Sequence, residues 1–164
     1  MIKRKKKTRI KIYHKLIFKA DPFYQSYWLA KFMNKFMLDG KKYVVEKAVN
    51  ETFLHLKRKW GVKPLPVFLG IIIKFRPLLD LSLKRQGKQI KKIPSPLLPR
   101  RQAIVSLKWL TMAIKLNRAQ TLRLRMRSEF FDLSENKKTA LWKRLMDHLR
   151  DLEVNRLNHR FRWK

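Results

Sequence analysis

The sequence predicts a mainly α protein: a six-helix, bundle-like domain with one protruding β-hairpin and a basic N-terminal arm. Three observations predict it. Apolar residues recur along most of the chain at i, i+3 and i+4, the period of helices that bury one face. The period changes once, where Leu79, Leu81 and Leu83 alternate with Asp80, Ser82 and Lys84, as a strand requires. The first twenty residues carry nine Lys or Arg and no acid, so they read as a basic arm set off from the helical domain. The expected division is an arm over 1–20 and a single helical domain over 21–164, with the hairpin at about 78–94.

Asp21-Pro22 reads as the opening of the first helix, a capping carboxylate followed by Pro at the first helical position. Its apolar stripe is Trp28, Leu29, Phe32, Met33, Phe36 and Met37, and Asp39-Gly40 stops it. A second helix spans about Lys41 to Trp60, burying Val45, Ala48, Val49, Thr52, Phe53 and Leu56, with Gly61 as its C-terminal cap. The third, Leu65 to Phe75 between Pro64 and Pro77, is apolar almost all round and is expected at the centre of the core. The hairpin follows: Gly87 supplies the turn, Lys88 to Ile93 returns, and Pro94 ends it. Too few apolar residues occupy the tip to hold it on a core, so it should project.

A fourth helix starts at Pro99, with Ile104, Leu107, Leu110, Thr111 and Ile114 inward. A fifth runs from about Ala119 to Leu133 on Leu122, Met126, Phe130 and Leu133. A sixth begins near Thr139 and presents Leu141, Leu145, Leu149 and Leu152. At 45% apolar, with ten Phe and five Trp in 164 residues, the chain can build a core that a disordered polycation cannot.

The formal charge is +31, and between Glu51 and Glu129 the single carboxylate Asp80 faces nineteen Lys or Arg. Such a compact state repels itself unless a polyanion neutralises it, and closely spaced phosphates reward clustered cations through counterion release. Three clusters are the candidate contacts. The arm carries Lys3, Arg4, Lys5, Lys6, Lys7, Arg9 and Lys11, and reads as RNA-binding rather than as an organelle-targeting peptide, being poor in Ser. The hairpin tip carries Lys84, Arg85, Lys88, Lys91 and Lys92, joined by Arg100 and Arg101. Lys137, Lys138, Lys143 and Arg144 surround the start of the last helix, where cations oppose the helix dipole unless phosphate is present.

Other chemistry finds no constellation. With no Cys, thiolate catalysis and Cys-ligated zinc are excluded. His14, His55, His148 and His159 do not pair at metal spacing, so no metal or cofactor is expected and no enzyme. Asp147 and Asp151, one turn apart, read as a solvated ion-pair network with Arg144 and Arg150. The longest apolar run, Leu65 to Ile73, is about half of a membrane span, so no membrane insertion is expected. Trp28, Phe32, Phe36 and Trp109 read as core rather than as base-stacking rings. A histone-like DNA-compacting protein and a membrane-active cationic protein are the alternatives that charge and helices alone allow.

The residues also carry a likeness. Asp21-Pro22 with Leu29-Ala30-Lys31-Phe32-Met33-Asn34, Asp39-Gly40-Lys41-Lys42, Arg76-Pro77, Arg85 with Gly87, Pro94, Pro99, Arg101, Trp109, Glu135-Asn136-Lys137 with Thr139-Ala140, Lys143-Arg144 and Arg162-Trp163 stand in one order. From about Asp21 to Trp163 the chain resembles small-subunit ribosomal protein seven of the bacterial and organellar type. The resemblance implies a six-helix body with a hairpin arm, a primary rRNA binder that organises the 3′ major (head) domain. It places the hairpin and C-terminal helix near exit-site tRNA and the mRNA exit path, with small-subunit proteins nine and eleven as neighbours. It adds Lys41, Lys42, Arg76, Arg162 and Trp163 to the candidate contacts. Abundant Lys, Ile and Phe favour a mitochondrial ribosome over a plastid or bacterial one. The chain departs from the family pattern at Lys88 beside the turn glycine, at Lys91 on the returning strand, and at Asn158 and Arg160.

Overall fold

The computed structural model describes residues 20–161 apart from Gln120. The arm residues Lys3, Arg4, Lys5, Lys6, Lys7, Arg9 and Lys11, and Arg162 and Trp163, lie outside the described residues. Among those described, the order is α1 (Tyr27–Phe36), α2 (Lys42–Trp60), α3 (Pro64–Lys74), β1 (Leu79–Gln86), β2 (Gln89–Pro96), α4 (Pro99–Leu116), α5 (Leu122–Ser134) and α6 (Ala140–Val154), then a 3-10 turn over Arg156–Phe161. The fold is mainly helical with one antiparallel hairpin, as the apolar periods predict.

The first helix starts later than expected. Asp21 does not cap it: its carboxylate accepts from the Tyr24 N–H at 2.9 Å, closing a turn of its own. Gln25 then takes φ 47°, which no helix tolerates. Ser26 is the cap, its hydroxyl accepting from the Leu29 N–H at 3.4 Å. At the far end of α2, Gly61 has φ 65° and its N–H donates to the Lys57 carbonyl at 2.8 Å, the left-handed stop that the sequence predicts.

Four phenylalanines from four helices fill the centre. Phe32, Phe53, Phe68 and Phe130 are at most 1% exposed. Phe68 lies 5.4 Å from Phe32, 6.2 Å from Phe53 and 6.1 Å from Phe130 between ring centroids, in tilted contacts that aromatic quadrupoles favour. Leu107, Leu110 and Ile114 of α4 close one side of this cluster, and Met126 of α5 and Leu141 of α6 join it. All six predicted stripe residues of α2 are buried.

Two faces are more open than their sequences suggest. Helix α3 reaches the centre through Phe68 and also buries Ile71 and Ile72, but it leaves Ile73 59% exposed, so only one of its faces is in the core. Helix α6 buries Leu141 alone; Leu145 is half-buried and Leu149 is exposed. Its first turns dock through Trp142 on Phe75 at 5.8 Å, and His148 then meets Trp109 at 5.1 Å and the Leu79 carbonyl at 2.9 Å. The rest of the helix passes the base of the hairpin.

The second strand also outlasts Pro94. Its register pairs Leu81 with Pro94 and Leu79 with Pro96. Leu81 N–H turns to the Asp80 carboxylate at 2.9 Å, away from the partner strand. Both prolines thus occupy non-bonded positions of a two-stranded ribbon, where a missing N–H costs no ladder bond. The turn at the tip has two residues, with positive φ at Gly87 (60°) and not at Lys88, as in a II′ turn.

The core account predicts that Phe68→Ala loses about 3–5 kcal/mol of stability in urea titration of the RNA-free chain, because all four helices lose a shared contact. Glu129 supplies a second test. It is 4% exposed beside Thr139 and Leu141 at the start of α6, and neither its Oε1 nor Thr139 Oγ1 completes a hydrogen bond among the described residues. Burial raises its pKa against the pull of the Thr139 hydroxyl, with Asp132 adding to the rise and the Leu141 N–H opposing it. Its ionised form is therefore the costly one in the fold, and the cost grows as pH rises through the folded value. Glu129→Gln should melt above the wild type at neutral pH, and the gap should close below about pH 4, the ordinary carboxylate range.

Candidate nucleic-acid interface

The hairpin brings its cations into direct opposition. The register sets Lys84 across from Lys91 and Leu83 across from Lys92, and like charges facing each other weaken a ladder. The C-terminal turn compensates on one side. Lys84 Nζ donates to the Phe161 carbonyl at 3.4 Å, Lys91 Nζ stands 3.9 Å above the Phe161 ring, and the Asn158 amide donates to the Lys92 carbonyl at 3.1 Å. Lys91, which departs from the family pattern, thus gains an aromatic face from elsewhere in the chain. The tip beyond this strut stays open, with Arg85, Lys88 and Ile90 (68%) exposed, and one step toward the base Leu83 (70%) and Lys92 are exposed as well. Arg85 Nε donates to the Gly87 carbonyl at 3.2 Å and stiffens the turn.

At the foot of the hairpin, where Leu97 N–H donates to the Leu78 carbonyl at 3.0 Å, Arg76 and Arg100 come together on the rim of one groove. Arg100 donates to the Tyr27 hydroxyl at 3.1 Å, which ties the start of α4 to the start of α1. A basic row continues from there. Lys31 lies 5.7 Å from the Tyr27 ring, and the positive charges of Lys108, Lys31 and Arg101 bear on Lys35, whose pKa is lowered first by burial and then by these neighbours. Lys31, Lys35 and Lys108 escape a reading of the sequence that follows only the buried stripe of α1. The signal is present in the spacing: Tyr27, Lys31 and Lys35 recur every fourth residue on one helix face.

The remaining candidates are more dispersed. Lys42 pairs with Glu46 at 2.9 Å along α2, and Lys41 is exposed beside it. Lys137 is engaged by carboxylates, Glu135 at 2.7 Å and Asp132 at 3.6 Å, while Lys59 reaches the same Glu135 at 2.8 Å. Lys137 and then Lys59 hold the Glu135 carboxyl down at about 2. Lys138 is exposed without a carboxylate among the described residues, and Lys143 and Arg144 rim a shallow groove of about 250 Å³ over Trp109 and Ala113. Asp147 pairs with Arg150 at 3.6 Å, one contact of the ion-pair network expected in that turn. No described helix is long and apolar enough to cross a membrane.

Comparison with known proteins bears on this surface. A family model described as ribosomal protein S7p/S5e matches residues 5–155. A small ribosomal subunit protein uS7 of Mycoplasmopsis pulmonis is 35% identical over 144 residues, 88% of this chain and 92% of the relative. Its counterparts from Helicobacter hepaticus and Bordetella petrii are 33% and 34% identical, covering 88% and 87% of this chain and 92% and 91% of their own.

The crowding around Lys35 gives a direct test of anion binding at the basic row. Its charged form is disfavoured in the free fold, so a bound polyanion should move its pKa upward toward the ordinary lysine value. NMR titration of lysine side chains with and without inorganic polyphosphate should show that rise; an unchanged Lys35 midpoint would put the anion elsewhere.

Proposed function

The chain belongs to the ribosomal protein S7p/S5e family, and on that premise we propose that it is a primary rRNA binder organising the 3′ major (head) domain of the small ribosomal subunit. The coarser part follows from membership: it is a structural constituent of the small subunit. The observation that supports the finer part is the run of exposed cations with no carboxylate partner among the described residues. It passes from Arg85, Lys88 and Lys92 at the tip, to Arg76 and Arg100 at the foot, to Arg101 and Lys108 on α4. Phosphates at fixed positions in a folded RNA suit such separated clusters better than a uniform duplex does.

Each group takes a role in this reading. The arm cations Lys3, Arg4, Lys5, Lys6, Lys7, Arg9 and Lys11 contact rRNA, as do Lys41, Lys42, Arg76, Arg100 and Arg101. The tip, with Lys84 and Lys91 braced by Phe161, lies toward exit-site tRNA and the mRNA exit path. Lys138, Lys143 and Arg144 serve the same side, with Arg162 and Trp163 beyond them. Lys137 contributes least, being neutralised by Glu135 and Asp132. Small-subunit proteins nine and eleven are the proposed protein neighbours. The relatives named above are bacterial, which suits a bacterial or an organellar ribosome; the Lys-, Ile- and Phe-rich composition supports the mitochondrial choice.

Binding to a 3′-domain rRNA fragment should weaken roughly 10³-fold or more between 50 and 200 mM salt if about six phosphates are contacted. Replacing Arg85 and Lys88 with Glu should lower affinity and flatten the salt slope while leaving helical circular dichroism intact, because neither side chain touches the core. Equal affinity of variant and wild type would remove the tip from the interface. Sedimentation of the native protein with small subunits, compartment by compartment, tests its location.

A further inference from the structure

The groove at the foot of the hairpin has a composition that phosphate contact alone does not require. It holds about 680 Å³, within the roughly 300–1,000 Å³ of sites that enclose small ligands. Its floor is apolar, from Leu69, Ile72 and Ala103, while Arg76 and Arg100 stand on its rim. Trp28, expected in the core, is only half-buried and forms part of the wall. The Tyr27 and Trp28 rings lie 5.2 Å apart at 72°, so they make a corner of one flat face and one edge. Tyr27 is held there by the Arg100 hydrogen bond and stands between the groove and the basic row at Lys31 and Lys35.

We propose that this groove takes one unstacked nucleotide of single-stranded RNA, its base against the Trp28 face and its flanking phosphates on Arg76 and Arg100. The proposal rests on the RNA-binding reading above and adds a base-recognition subsite to it. An aromatic face in an apolar recess rewards a π-surface whatever the base, and two guanidiniums on the rim, with no carboxylate partner among the described residues, suit the phosphates on either side. A purely apolar protein segment would leave those rim charges unanswered. The chain's own arm, with nine cations and no acid, offers no anion to the two guanidiniums. A duplex cannot deliver its base, because stacking and pairing hold it in the helix.

The test uses the full chain and a short oligoribonucleotide with a central 2-aminopurine, offered single-stranded and as a duplex with its complement. Single strand should bind more tightly than duplex, with the fluorescence of 2-aminopurine quenched on binding. Trp28→Leu, which keeps an apolar side chain on the core, should abolish the quenching and weaken single-strand binding roughly 5- to 150-fold, the worth of one stacked base. Arg76→Gln changes an exposed side chain that supports no packing, so it guards against misfolding of the first variant. It should weaken binding and lower the salt slope by about one while the quenching of bound probe persists. Equal affinity for single strand and duplex, or quenching unaltered by Trp28→Leu, would overturn the subsite. Binding of the wild type to a 3′-domain rRNA fragment, measured alongside, judges the ribosomal reading separately.

Discussion

Mutual repulsion among cations is the constraint that shapes this molecule. Forty-two Lys and Arg against eleven carboxylates must be displayed by a chain of 164 residues, and a small body offers little room to separate them. The solution is a dense apolar centre, with Phe68 touching Phe32, Phe53 and Phe130, that holds the helices together without help from charge. The few acids are used where they relieve specific crowding, as Glu135 does between Lys59 and Lys137. Elsewhere the repulsion stands, as around Lys35, on which the charges of Lys108, Lys31 and Arg101 bear. A surface left in that state is prepared for phosphate, and the free fold carries the cost until phosphate arrives.

The same constraint explains why the hairpin needs a brace. A two-stranded ribbon with lysines in register is marginal by itself. Phe161 and Asn158 of the C-terminal turn lie along β2 and accept part of the load, through a carbonyl, a ring face and an amide. The turn over Arg156–Phe161 is therefore part of the hairpin that carries the charge, and a change near Phe161 reaches the tip through Lys84 and Lys91. At the other end of the ribbon, Arg100 ties α4 to Tyr27 of α1, so the foot is fixed by a hydrogen bond between two helix starts.

Much of this was legible in the residues because it is local. The stripe of α2 and its Gly61 stop follow from spacing and from one backbone conformation, and the hairpin turn follows from Gly87. What the spacing misses depends on contacts between distant segments or on competition between local bonds. Asp21 closes a turn with Tyr24 in place of capping a helix, a choice between two short-range hydrogen bonds that composition does not decide. Pro94 looks like a strand end until its non-bonded register is known. The apolar face of α6 predicts burial, yet only Leu141 is fully buried, and Leu145 packs half-buried against the core. At the interface, charge runs announce the tip and the Arg100-Arg101 pair. The meeting of Arg76 with Arg100 and Tyr27, and of Lys35 with Lys108, is set by helix packing and has no sequence neighbour to reveal it.

The central claim is that the fold is limited by its own positive field and completed by anions. Melting temperature of the RNA-free chain as a function of sodium chloride reads that field directly, since screening weakens exposed charge interactions over a Debye length of about 10 Å at 0.1 M. If repulsion dominates, the melting temperature rises as salt is added. A melting temperature that falls over the same range would mean that ion pairs such as Lys59 with Glu135 outweigh the repulsion, and the account would be contradicted.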